Sequence, residues 1–167
     1  MTIGLLLLRL GIGVPLVGHG LRKLIRRLGP GPLSTGAYFE RIGYRPGLLF
    51  AVIAGVTETA GGALFAAGAL TPLAAAMVLG VMANAIRQGL ARGFWAENGG
   101  CEYPLFLGLA ALALAFTGPG AASVDHALGL DLAGPAWAGA ALVLAGLTAV
   151  PVLLLARPRT RAAQDSR

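Results

Sequence analysis

Charge is scarce in this chain and carboxylate scarcer still: of 167 residues only 12% are Asp, Glu, Lys or Arg, and only seven are acids. A water-soluble domain covers itself with roughly twice that share of charge. With 56% apolar residues as well, the chain has too much apolar surface to hide from water at this length, and a bilayer is the solvent it fits. Cysteine is limited to Cys101, which excludes an intrachain disulfide and any CxxC exchange centre. Histidine is limited to His19 and His126. Read as lying at opposite membrane faces, they do not make a bis-histidine haem site. No carboxylate–histidine set has metal-ligand spacing, and neither a nucleophile–base pair nor a phosphate loop is present. No metal and no motif-bound cofactor is therefore expected, and no residue is assigned a catalytic role.

What the sequence has is long apolar runs. Spans are expected over Thr2–Lys23, Gly47–Leu70, Pro72–Leu90, Tyr103–Phe116 and Gly134–Ala156, against the roughly 20 apolar residues that cross a bilayer. The fourth is short and is expected to recruit Cys101, Glu102 and Thr117 at its ends. The first lacks a basic leader and a small-residue cleavage site and carries Arg9, so it reads as a retained span and not a signal peptide. Thr71-Pro72 leaves almost no loop between the second and third spans, which must form an antiparallel hairpin with Pro72 in the first helical turn. Gly29-Pro30-Gly31-Pro32 breaks the chain after the first span, and Gly36–Tyr44 then reads as a short interfacial amphipathic connector.

The basic residues give the orientation. With five spans, Arg22, Lys23, Arg26, Arg27, Arg41, Arg45, Arg87, Arg92 and the arginines of the tail from 157 to 167 all lie on one side. The opposite loop holds Asp125, His126 and Asp131 and no base. The positive-inside rule then places the N-terminus outside and the C-terminus in the cytoplasm. The net charge of +6 follows from this layout. Nucleic acid is not an expected partner, because the bases form no stripe interleaved with aromatics.

Three residues stand where polarity is expensive: Arg9, Glu58 and Asn84. A charge near the bilayer centre costs about 2.5–3.5 kcal/mol on insertion scales and normally finds a partner within the bundle. Counted inward from the span ends at about 1.5 Å per residue, Arg9 and Glu58 reach similar depths, so an Arg9–Glu58 ion pair is expected, either as a structural clasp or as part of a ligand site. Asn84 is expected to join the same network or to act as interhelical glue. His19 and Lys23 share a helix face at the basic end, and Glu102 lies at the same membrane surface. A polar cluster of His19, Lys23 and Glu102 is therefore geometrically open, beside the plainer reading of a lipid anchor. Ala51, Gly55, Thr59 and Ala63 form an i, i+4 stripe for close helix packing.

These features together resemble the DoxX family of small bacterial membrane proteins. The first span, from Leu8-Arg9-Leu10-Gly11 to Gly18-His19-Gly20 and Lys23, is similar to that family's opening, and Glu58 with Gly61-Gly62 and then Thr71-Pro72 is similar to its second helix and hairpin. Gly100-Cys101-Glu102-Tyr103-Pro104 and Gly118-Pro119-Gly120 through Asp125 are similar to its fourth helix and closing loop. The resemblance covers about residues 2–130. It implies an all-α, four-helix transmembrane core in a bacterial plasma membrane and an association with membrane redox chemistry, since the family takes its name from a small subunit of a quinol oxidase or thiosulfate:quinone oxidoreductase.

The expected organisation is a core over 1–132, an added C-terminal transmembrane helix over 133–156 and a basic disordered tail over 157–167. Three functions remain open: a subunit or accessory factor of a quinone-linked redox system, with redox-complex proteins as partners; a binding or transport protein for a small amphipathic molecule; and a non-catalytic structural subunit.

Overall fold

A computed structural model describes residues 2–156; the basic tail lies outside them. Among the described residues the chain is all helix and turn, with α1 at Thr2–Leu24, α2 at Gly31–Arg41, α3 at Gly47–Ala67, α4 at Thr71–Leu90, α5 at Glu102–Thr117, α6 at Val124–Ala127 and α7 at Pro135–Leu155. A single 3-10 turn, Ala96–Asn98, precedes α5. Four helices, α1, α3, α4 and α7, are long and apolar enough to cross a membrane. The 16 residues of α5 reach only about 24 Å at 1.5 Å per residue. The helix takes in Glu102 and Thr117 as its first and last residues, as expected, and leaves Cys101 outside as its N-cap.

The helices end where the backbone can turn. Gly68 closes α3 in the left-handed region at φ 63°, where a residue without a Cβ is favoured. A Cβ there would also strike the Arg9 guanidinium and lie 2.7 Å from Ser123 Cβ. The hairpin to α4 is as tight as Thr71-Pro72 requires, and Pro72 sits in the first turn of α4. α3 and α4 therefore run antiparallel. One end of the bundle gathers Arg22, Arg26, Arg27, Arg41, Arg45, Arg87 and Arg92 and is called the basic end below; residues 118–134 cross the other, the loop end.

α1 packs on α3, α3 on α4, and α7 on α4 and α5. Ile12, Leu16, Phe65, Ala74, Val78, Met82, Ala111 and Leu114 form the central core. A second core is almost all alanine: Ala75, Ala76, Ala115, Ala138, Ala141 and Ala145. Such small faces let helices approach closely enough for van der Waals attraction to hold them where lipid is as apolar as leucine. The outward faces are Leu, Ile and Val, among them Ile3, Leu7, Val14, Val52, Val56, Leu142, Val143, Leu147 and Leu154. In water this would be one continuous apolar belt; around a bundle of this length it is the lipid face.

The α1–α3 contact corrects the expected packing stripe. Ala51 is fully buried and Gly55 and Thr59 face α1, but Ala63 is exposed. A strict i, i+4 series drifts about 40° per step around a helix of 3.6 residues per turn. By Ala63 it has left the interface, and Gly62 and Ala66 take its place. A Cβ on Gly13 would lie 2.5 Å from the Gly62 carbonyl oxygen, and one on Gly62 would lie 2.7 Å from the Gly13 carbonyl oxygen. Gly62 thus belongs to the α1–α3 contact, while Gly61 faces Met77 of α4.

Candidate functional site

The register of α1 on α3 decides which buried charges meet. Gly13 lies against Gly62 and Ala66, and Gly20 against Gly55 and Thr59. Glu58 is therefore level with the stretch from Val17 to Leu21, eight to twelve residues beyond Arg9, about 12–18 Å along the axis. The expected Arg9–Glu58 pair is not formed. Counting from span ends assumed that both helices start flush with the membrane, whereas the small-residue contacts set the true offset.

Glu58, only 8% exposed, instead pairs with Lys23 through Oε2 and Nζ, the single ion pair among the described residues. Lys23 lies in the last turn of α1, so its flexible stem reaches back along α3 to the carboxylate. Asn84, one turn nearer the basic end on α4, donates from Nδ2 to the Gly80 carbonyl at 3.0 Å and accepts at Oδ1 from the Tyr44 hydroxyl at 3.2 Å. Both groups line one cavity of about 690 Å³. Its floor is the face of α4 that carries Met77, Gly80, Asn84 and Gln88, and its walls include Ile53 and Thr57 of α3 and Thr148 of α7. Tyr38, Phe39, Tyr44 and Phe50 line its basic end, with successive ring centroids 6.0, 5.6 and 5.6 Å apart, beside Arg92, Ala96 and Gly99 of the exposed loop after α4.

The connector thus does more than connect. Glu40 of α2 accepts from the Gly47 amide at 3.1 Å, capping the start of α3. Gly36 packs against the Gly47–Leu48 backbone, which fixes the aromatic rings of α2 over the cavity. The sequence marks Tyr38 and Phe39 only as part of an interfacial connector, and nothing in it singles out Tyr44, Gln88 or Thr148. The spacing of Asn84, Gln88 and Arg92 at i, i+4 and i+8 was the available signal for one polar helix face.

Arg9 belongs to a separate site at the loop end. Its side chain is 1% exposed and donates from Nη2 to the Ala122 carbonyl. Asp125, also 1% exposed, accepts from the Leu70 amide at 2.7 Å, the Thr71 amide at 2.9 Å and the Thr71 hydroxyl at 2.6 Å. Asp125 therefore caps α4, whose exposed amides favour a carboxylate, and ties the 118–134 crossing to the α3–α4 hairpin.

The expected trio of His19, Lys23 and Glu102 does not assemble. His19 is exposed on the outside of α1, Lys23 turns inward to Glu58, and Glu102 accepts from the Ala96 amide at 3.0 Å, closing its own loop. A shared membrane surface does not imply a shared direction around the bundle. Of the intramembrane trio, Glu58 and Asn84 share the cavity and Arg9 does not. Among the described residues no three His, Cys, Asp or Glu side chains come together in a way that holds a metal ion.

A family model, DoxX, matches residues 4–96, from α1 through α4 to the start of the 3-10 turn. No curated protein and no solved structure matches the chain.

Proposed function

Since this chain belongs to the DoxX family, whose model matches more than half of it, we propose that it serves a quinone-linked redox system of the membrane as a subunit or accessory factor. The observation that carries the reading is the cavity: about 690 Å³, within the 300–1,000 Å³ of ordinary small-molecule sites, mostly apolar, and holding a buried ion pair. Buried charge inside a membrane is expensive and marks function more often than decoration.

The donor set fits a quinone ring. Tyr38, Phe39, Tyr44 and Phe50 offer aromatic faces, and the Lys23 ammonium and the second Nδ2 proton of Asn84, the first being given to the Gly80 carbonyl, are donors for carbonyl oxygens. Glu58 Oε1 carries no hydrogen bond among the described residues, since Lys23 takes Oε2, so that oxygen is available to accept from a hydroxyl of the ligand. A bound quinone supplies two-electron, two-proton carrier chemistry. The residues of this chain bind and orient it, and a partner protein exchanges electrons with it. We place the chain in the bacterial plasma membrane with the basic end cytoplasmic, by the charge of its loops, and regard residues 1–132 as the family core and 133–156 as an added helix.

Titrating purified protein with a tailed benzoquinone tests the site. Saturable binding is expected for the wild type. Glu58→Gln, which breaks a charged contact worth about 1.5–3 kcal/mol, should weaken it about tenfold or more. Equal binding by wild type, Glu58→Gln and Asn84→Leu means that the cavity is not the quinone site.

A further inference from the structure

α3 and α7 both line the cavity, yet they do not lie against each other along their length: α3 packs on α1, α2 and α4, while α7 packs on α4 and α5. They are joined at the basic end, where Ala156 and Val152 meet Tyr44 and Phe50 and Arg87 of α4 holds the Ala156 carbonyl at 2.9 Å. Above that closure a slot runs between them with α4 as its floor. Its rim residues are aliphatic and half out of the protein: Ile53 is 44% exposed, Leu73 38% and Leu144 38%. Glu58 is eleven residues from the start of α3 at the basic end, about 16 Å along the axis. The ion pair is therefore reached at the depth of the acyl chains.

We propose that this slot is a lateral port, and that the cavity takes its ligand sideways from the bilayer as a dissolved amphiphile with a hydrogen-bonding head and an aliphatic tail. The polarity of the α4 face argues for it. Toward the loop end that face shows Leu73 and Met77; toward the basic end it shows Asn84 and Gln88, with Arg92 in the turn just beyond. A head group comes to rest at Lys23, Glu58 and Asn84, and its tail leaves between Ile53 and Leu144 into lipid. A lipid-dissolved ligand is already at the depth of the ion pair and meets an aliphatic rim there, so it enters without first leaving its apolar solvent. α7 supplies one rim of the port through Leu144 and Thr148, and it lies beyond the residues that the family model matches. The inference rests on the proposed function only for the identity of the head group.

The test uses full-length protein in phosphatidylcholine–phosphatidylglycerol vesicles with a trace of a long-chain alcohol bearing a diazirine in its tail. After photolysis, mass spectrometry is expected to find adducts on Thr57, Leu144 and Thr148 in excess of those on the outward-facing Val56 and Leu147. Ile53→Trp, which narrows the rim, should lower the adducts at Thr57 and Thr148 about tenfold and leave those at Val56 and Leu147 unchanged. Cavity adducts no more frequent than outward ones, or indifferent to Ile53→Trp, overturn the port. Cavity adducts that depend on the rim but are not displaced by a tailed benzoquinone uphold the port and remove the quinone reading.

Discussion

Asp125→Ala should be among the most destabilising single substitutions in this protein, at about 3 kcal/mol or more, because each buried hydrogen bond to a charged group contributes about 1.5–3 kcal/mol. The side chain accepts from two amides and a hydroxyl at the start of α4. Without it the Leu70 and Thr71 amides lose their acceptor at a helix N-terminus that no neighbouring side chain caps. Leu70 sits in the left-handed region at φ 45°, a conformation that costs an L-residue about 1–2 kcal/mol, and its bond to Asp125 helps hold it there. The substitution also frees the 118–134 crossing, whose Ala122 carbonyl accepts from buried Arg9. The effects of Arg9→Met and Asp125→Ala should therefore be less than additive. Thermal or denaturant unfolding in detergent measures both; full additivity would mean that the two residues stabilise the bundle independently.

Gly62→Val should cost about 3 kcal/mol, at the upper end of overpacking. Its Cβ would fall 2.7 Å from the Gly13 carbonyl oxygen, 2.9 Å from Leu16 Cβ and 2.9 Å from the Val17 amide. Two of these are backbone atoms and cannot rotate aside, so α1 and α3 must separate. Separation also draws Lys23 from Glu58, so quinone binding should fall together with stability. Gly18→Val provides the contrast, because a Cβ there meets nothing within 4 Å; it should change stability by less than about 0.5 kcal/mol. Similar melting curves for the two variants would contradict the close approach of α1 and α3.

The spans were legible because a bilayer demands long apolar runs and the sequence has them with short interruptions. Glu58, Arg9 and Asn84 were legible as expensive residues, but their partners were not. Partnership depends on axial register, and that is set by where Gly13, Gly20, Gly55 and Gly62 allow backbones to touch. The i, i+4 stripe pointed to the right face at Ala51 and Gly55 and missed it at Ala63, because a small drift per turn accumulates. Asp125 read as one acid in a base-free loop; only the folded crossing brings it to the hairpin 54 residues earlier. The cavity was the least legible feature, since it needs α2 and α7 to arrive over α4. Neither helix advertises it: Thr148 is one hydroxyl in an apolar run, and Tyr38 and Phe39 read as the apolar side of an interfacial connector.

The most direct measurement is the quinone content of the protein purified in mild detergent, extracted with solvent and quantified by mass spectrometry against protein. The account predicts quinone approaching one per wild-type chain and falling about tenfold, a loss of 1.4 kcal/mol, in Glu58→Gln. Quinone no more abundant with the wild type than with Glu58→Gln, at equal phospholipid content, would contradict it.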